Sequence, residues 1–109
     1  MKLSPLGYKA EEEGTVSTTM NLINLGNAQI LTIPGEALPN IGFYLKRKMK
    51  GQHNFLFGLT NDAFGYILTK EDFNSFNRYD YVSRTSLGEM TGEMLIREAL
   101  ALVEASRKP

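Results

Sequence analysis

Between residues 28 and 59 the apolar pattern changes period twice, and this restricts the fold more than any other feature of the chain. Ala28-Gln29-Ile30-Leu31-Thr32-Ile33 is a strand-like run that Pro34-Gly35 ends, because proline has no N–H to give to a ladder. Pro39 then suits the first turn of a helix. In that helix Ile41, Leu45 and Met49 recur at four-residue spacing, while Lys46, Arg47, Lys48 and Lys50 fall mostly off the stripe. Past Gly51, residues 53–59 read as another strand. It is apolar on both parities from Phe55 onward and is therefore expected at the centre of a sheet, buried on both faces. Two strands joined by one helix are expected to lie parallel, with a right-handed crossover.

The flanking segments extend this unit. Residues 15–25 are rich in β-branched side chains and alternate in part, so they read as a strand. Gly26-Asn27 then makes a two-residue turn into 28–33, which favours an antiparallel hairpin. After the turn formers Thr60-Asn61-Asp62-Ala63 comes a short strand, 64–68. Thr69 is placed to cap a helix over 70–76, with Asp72 reaching back to the backbone. The aromatic stretch 77–84 shows no clear period. Ser86 and Glu89 have capping-box spacing for a last helix, 88–106, with Leu95, Ile96, Ala99, Leu100, Leu102 and Val103 on its apolar face. Gly92 inside that helix marks a place of close packing. Residues 1–13 lack periodicity, end in three glutamates and read as a flexible lead-in to a single domain over 14–109. The expectation is an α+β fold: a mixed β-sheet in the order β-β-α-β-β-α-α, with helices packed on it.

Composition narrows the function classes. With 12 basic and 12 acidic side chains in 109 residues, no net field draws the chain to nucleic acid or an anionic membrane. The absence of cysteine removes disulfides, thiolate zinc sites and a cysteine nucleophile, and leaves the compartment undefined. No run approaches the length of a membrane span, and no apolar stretch follows Lys2, so a soluble chain without a signal peptide is expected.

Glu36 and Tyr66 are the candidate site residues. Glu36 leaves a strand behind Pro34-Gly35 and is either a metal ligand or general base, or a solvated loop carboxylate. Tyr66 is either a phenolate ligand or oxyanion donor, or an ordinary strand tyrosine. Asn61, Arg78 and Tyr79 stand where they can line a site, with turn chemistry and an aromatic cover over the sheet as their alternatives. His53 is the only histidine, so neither a multi-imidazole zinc set nor a Ser-His-Asp triad is available. Phosphate-loop and dinucleotide patterns are absent, and the residues by themselves assign no catalytic group or organic cofactor.

Taken in order, several short segments resemble the C-terminal part of the catalytic domain in the neutral/alkaline, non-lysosomal ceramidase family. These are Asn27 to Glu36 with its Pro-Gly-Glu ending, Phe55-Leu56-Phe57-Gly58-Leu59-Thr60-Asn61, Gly65-Tyr66-Ile67-Leu68-Thr69-Lys70-Glu71-Asp72-Phe73, and Arg78-Tyr79-Asp80. The resemblance implies that Glu36 and Tyr66 are zinc ligands. It also implies hydrolysis of the amide of an N-acyl sphingoid base, with zinc as Lewis acid and activator of water. In that family the other zinc ligands are histidines from much earlier in a longer catalytic domain, and His53, between the two motifs, does not match them. The chain is accordingly expected to be a C-terminal fragment or a short relative, inactive alone. Its expected partner is an N-terminal catalytic portion or a second copy of itself, and its expected substrate class a lipid amide. The competing expectation is a non-catalytic interaction or oligomerisation module that keeps the fold.

Overall fold

The structure is a computed structural model that describes residues 2–3, 16–76 and 79–109. In chain order the elements are β1 (Lys2–Leu3), β2 (Val16–Ser17), β3 (Leu22–Leu25), β4 (Ala28–Thr32), β5 (Glu36–Ala37), α1 (Pro39–Lys48), β6 (His53–Phe57), β7 (Tyr66–Ile67), α2 (Asp80–Arg84) and α3 (Thr91–Ala105). The architecture is α+β. A three-stranded mixed sheet has the order β3-β4-β6, with β3–β4 antiparallel around the Gly26-Asn27 turn and β4–β6 parallel across α1. The segment read as a lead-in contributes one pairing, Lys2–Leu3 against Val16–Ser17, and most of that segment lies outside the described residues.

The core lies on one face of this sheet. Leu31 and Ile33 from β4 and its extension meet Ile41, Leu45 and Met49 of α1, and Leu95, Ala99 and Val103 of α3. The four-residue stripe of α1 is therefore the buried stripe. At the edge of this core Gln29 is fully buried, and its polar atoms are all engaged. Its amide nitrogen donates to Asn24 Oδ1 (3.0 Å) and Ser106 Oγ (3.1 Å), and its oxygen accepts the Lys50 backbone N–H (2.9 Å). Lys50 Nζ in turn donates to the Glu104 and Ser106 carbonyls, which the end of α3 leaves without helical partners. Gln29→Leu keeps the volume but strips the Lys50 N–H of its acceptor. A loss of about 1–3 kcal/mol in urea denaturation is expected, against near neutrality if the network is dispensable.

Four expectations need correction. The strand over 15–25 is broken into β2 and β3. The β6 strand is not central: β4 is, and Phe55 and Phe57 on β6 are exposed rather than buried on both faces, because helices cover only one side of the sheet. The helix over 70–76 is a single turn. Thr69 Oγ1 does accept the Asp72 N–H (3.3 Å), but Asn74 at φ 55 ends the turn and the exposed Phe76 gives it no buried face. The helix in this region is instead α2, in the aromatic stretch. The capping box also fails to form. Ser86 is buried and its Oγ takes the Gly88 N–H (3.2 Å), while α3 starts only at Thr91 with Met90 as N-cap.

Candidate functional site

Beyond Thr32 the chain stays extended but changes partners. Ile33 N–H still bonds Phe57 O, and Thr60 N–H and Leu59 N–H bond the carbonyls of Ile33 and Gly35. Next, Phe64 N–H reaches Pro34 O (2.9 Å), Glu36 N–H reaches Gly65 O (2.8 Å) and Leu38 N–H reaches Ile67 O (3.0 Å). Proline loses nothing in this switch, since only its carbonyl is used. The product is a parallel pair, β5 with β7, in which Glu36 is the register partner of Tyr66 and Ala37 that of Ile67.

Register fixes the geometry of the candidate pair. Neighbouring strands lie about 4.8 Å apart and register partners project to the same side. Ile67 is buried in the core and Ala37 packs against it, so Glu36 and Tyr66 take the opposite side together. Glu36 is exposed and Tyr66 half-buried. Neither side chain has a hydrogen-bond or ion-pair partner among the described residues. The ring of Tyr66 is held edge-on by Tyr81 of α2, with centroids 6.0 Å apart at 71°. The turn that ends α2 rests on the backbone of Gly65, where the Thr85 carbonyl oxygen fills the space of an absent Cβ.

The other candidates are placed elsewhere or differently. The Asn61 amide donates to Thr19 O (3.0 Å) and Asn21 Oδ1 (2.9 Å), and Asp62 accepts the Thr18 hydroxyl, so this turn ties down the segment entering β3. Tyr79 stands just before α2 with its ring 6.0 Å from that of Phe76. Arg78 lies outside the described residues. His53 begins β6, whereas Glu36 follows the far end of the ladder, so at about 3.3 Å per residue the strand itself separates them by more than ~10 Å. Tyr81 is the member of the aromatic stretch that reaches Tyr66. Nothing in the sequence distinguishes it from Tyr79, because that choice depends on where α2 starts. Among the described residues no three His, Cys, Asp or Glu side chains gather as a metal site. A carboxylate and a phenol side by side, both oxygen donors on adjacent parallel strands, can share one cation or one water.

An α+β unit of this topology is also the fold of a portion of larger solved proteins. Two solved structures that share it are ceramidases. The chain matches over 83% of its length a structure described as a ceramidase complexed with C2, with a TM-score of 0.62 and 20% identity. Over the same share it matches the crystal structure of the neutral ceramidase from Pseudomonas aeruginosa, with a TM-score of 0.58 and 19% identity. The chain spans 15% and 17% of the lengths of those two proteins. No family model matches the sequence, and no curated protein does. The likeness to neutral ceramidases read from short motifs is thus borne out in three dimensions, at the level of the fold.

Proposed function

We propose that the chain is the part of a neutral-ceramidase-type zinc amidohydrolase that contributes a carboxylate and a tyrosine to the metal, and that it acts only with a companion portion carrying the histidine ligands. The observation that carries this reading is the register pairing of Glu36 with Tyr66, two zinc-compatible oxygen donors on one side of a parallel pair. The fold it shares with ceramidases supports it. The donor set fits zinc as part of a ligand set. Glu36 and Tyr66, with histidines of the companion portion, would hold the zinc, which would supply Lewis-acid polarisation of an amide carbonyl and activation of water near neutral pH. The role of this chain is to hold Glu36 and Tyr66 at the spacing of two hydrogen-bonded strands, with Tyr81 limiting the rotation of the phenol. The amide of an N-acyl sphingoid base is the proposed substrate class.

Two ligands fall short of the three that a catalytic zinc takes from protein, and a phenol must lose its proton to bind. The isolated chain is therefore expected to bind zinc weakly, with a Kd above roughly 10 µM, and not to hydrolyse N-acyl sphingosine. Calorimetric titration with zinc, paired with ultraviolet difference spectra for tyrosinate, tests this. The spectral change should vanish in Tyr66→Phe, and the heat in Glu36→Ala. Stoichiometric sub-micromolar binding, turnover by the chain alone, or a zinc response indifferent to both substitutions would each defeat the proposal. A second reading, a non-catalytic interaction module, is favoured by the apolar sheet face left open opposite the helices.

A further inference from the structure

Register assembles that open face row by row. Ile23, Ile30 and Phe55 form one row across β3, β4 and β6, Leu25, Ala28 and His53 the next, and Phe57 beside the buried Thr32 a third. The helices cover the alternate positions, Leu22, Leu31 and Leu56. Of the outward set, Leu25 is 67% exposed, Phe57 50%, Phe55 46% and Ile23 45%. These rows contain no Asp, Glu, Lys or Arg, and the whole chain has no net charge. The apolar surface they leave in water is on the order of 500 Å², toward the top of what monomers show.

Two further observations indicate that the face is built to be covered. All-parallel sheets are ordinarily packed on both sides, and β6, the parallel partner of β4 in this mixed sheet, is apolar on both parities over Phe55, Leu56 and Phe57, as strands of such sheets are. The shortest extent of the chain, 18 Å, accommodates the sheet and one helical layer, with layers spaced about 10 Å apart.

We propose that a second copy of this chain covers the face, sheet to sheet, about a two-fold axis running along β4. An isologous contact requires a patch that suits itself. This one qualifies because it has no Asp, Glu, Lys or Arg to repel its own image and its two flanks differ in shape. Aliphatic Ile23 and Leu25 lie on β3, and aromatic Phe55 and Phe57 on β6. An axis along the central strand sets β3 of one copy over β6 of its partner, so that Ile23 meets the partner's Phe55 across the sheet spacing. Two such patches bury about 1,000 Å², which just clears the size of a specific interface and gives a weak pair, with a Kd of roughly 10–100 µM. Glu36 and Tyr66 lie on β5 and β7, outside these strands, so the pairing does not use the proposed zinc ligands.

Sedimentation velocity of the full chain, from about 1 µM to about 1 mM so as to bracket that affinity, should show a monomer–dimer equilibrium. Ile23→Lys alone and Phe55→Glu alone should each leave only monomer. An equimolar mixture of the two should restore the dimer, because the axis sets the new lysine against the new glutamate. Phe43→Lys, on the exposed side of α1, should change nothing. Circular dichroism checks that the half-exposed substitutions keep the fold, and the wild-type concentration series needs no variant at all. A wild-type chain that stays monomeric throughout, a dimer indifferent to Ile23→Lys, or a mixture that remains monomeric overturns the proposal.

Discussion

Gly92→Ala is expected to destabilise the chain by about 3 kcal/mol or more, although helix propensity argues the other way. Gly92 lies in the first turn of α3, where the helix crosses the chain leaving β7. A Cβ there would sit 2.0 Å from the Leu68 carbonyl oxygen and 2.7 Å from its carbon. Those are backbone atoms and cannot swing aside as a side-chain tip does. Relief requires α3 to lift away from Leu68, itself fully buried, and from Lys70, whose N–H donates to Glu93 Oε1 at 2.8 Å. The shift would be transmitted to Leu95, which has no exposed surface. Propensity alone predicts a gain of up to about 1 kcal/mol for alanine, so the two effects differ in sign. Thermal melting decides between them: a fall in Tm of roughly 10–20 °C is expected, and an unchanged or higher Tm would show that the contact is not tight.

Gly65→Ala should be comparably damaging and should act on the candidate site. Gly65 has φ +83, which an L side chain adopts at a penalty of about 1–2 kcal/mol. Its Cβ would also lie 2.1 Å from the Thr85 carbonyl oxygen. Removing that overlap pushes the end of α2 off β7 and withdraws Tyr81 from the edge of Tyr66. The Gly65 carbonyl also accepts the Glu36 N–H, so both members of the pair move. A loss of about 3 kcal/mol in urea denaturation is expected, with loss of any zinc-dependent tyrosinate signal from the molecules still folded. Gly65→Asn separates the two causes. Asparagine tolerates positive φ but carries a Cβ, so it should recover only the conformational part, about 1 kcal/mol. Full recovery would show that the contact with Thr85 is slack.

How much of this was legible depended on whether a residue's fate is local. Ile41, Leu45 and Met49 announced the buried stripe of α1 because a helix brings every fourth residue to one face wherever it packs. Leu95, Ala99 and Val103 did the same for α3. The hairpin at Gly26-Asn27 and the parallel β4–β6 pair followed from turn chemistry and from the connection between strands. The capping box at Ser86 misled because spacing does not reveal that Ser86 is buried and bonded to Gly88. The turn at Thr69 began as its cap chemistry required and stopped for want of a face to bury.

What the amino-acid sequence determined by itself was the hairpin at Gly26-Asn27, the strand-helix-strand unit of β4, α1 and β6, the buried stripes of α1 and α3, and the two candidate oxygen donors thirty residues apart. Only the tertiary structure decided that Pro34 is where one extended segment exchanges β6 for β7, which places Glu36 in register with Tyr66. It alone also decided that Gln29 is buried in a closed polar network, that Tyr81 rather than Tyr79 braces the phenol, and that Phe55 and Phe57 face outward. The physical reason is the same in each case. Periodicity and capping are properties of a few neighbouring residues, whereas register, lateral strand order and the covering of a face depend on contacts between segments distant in the chain.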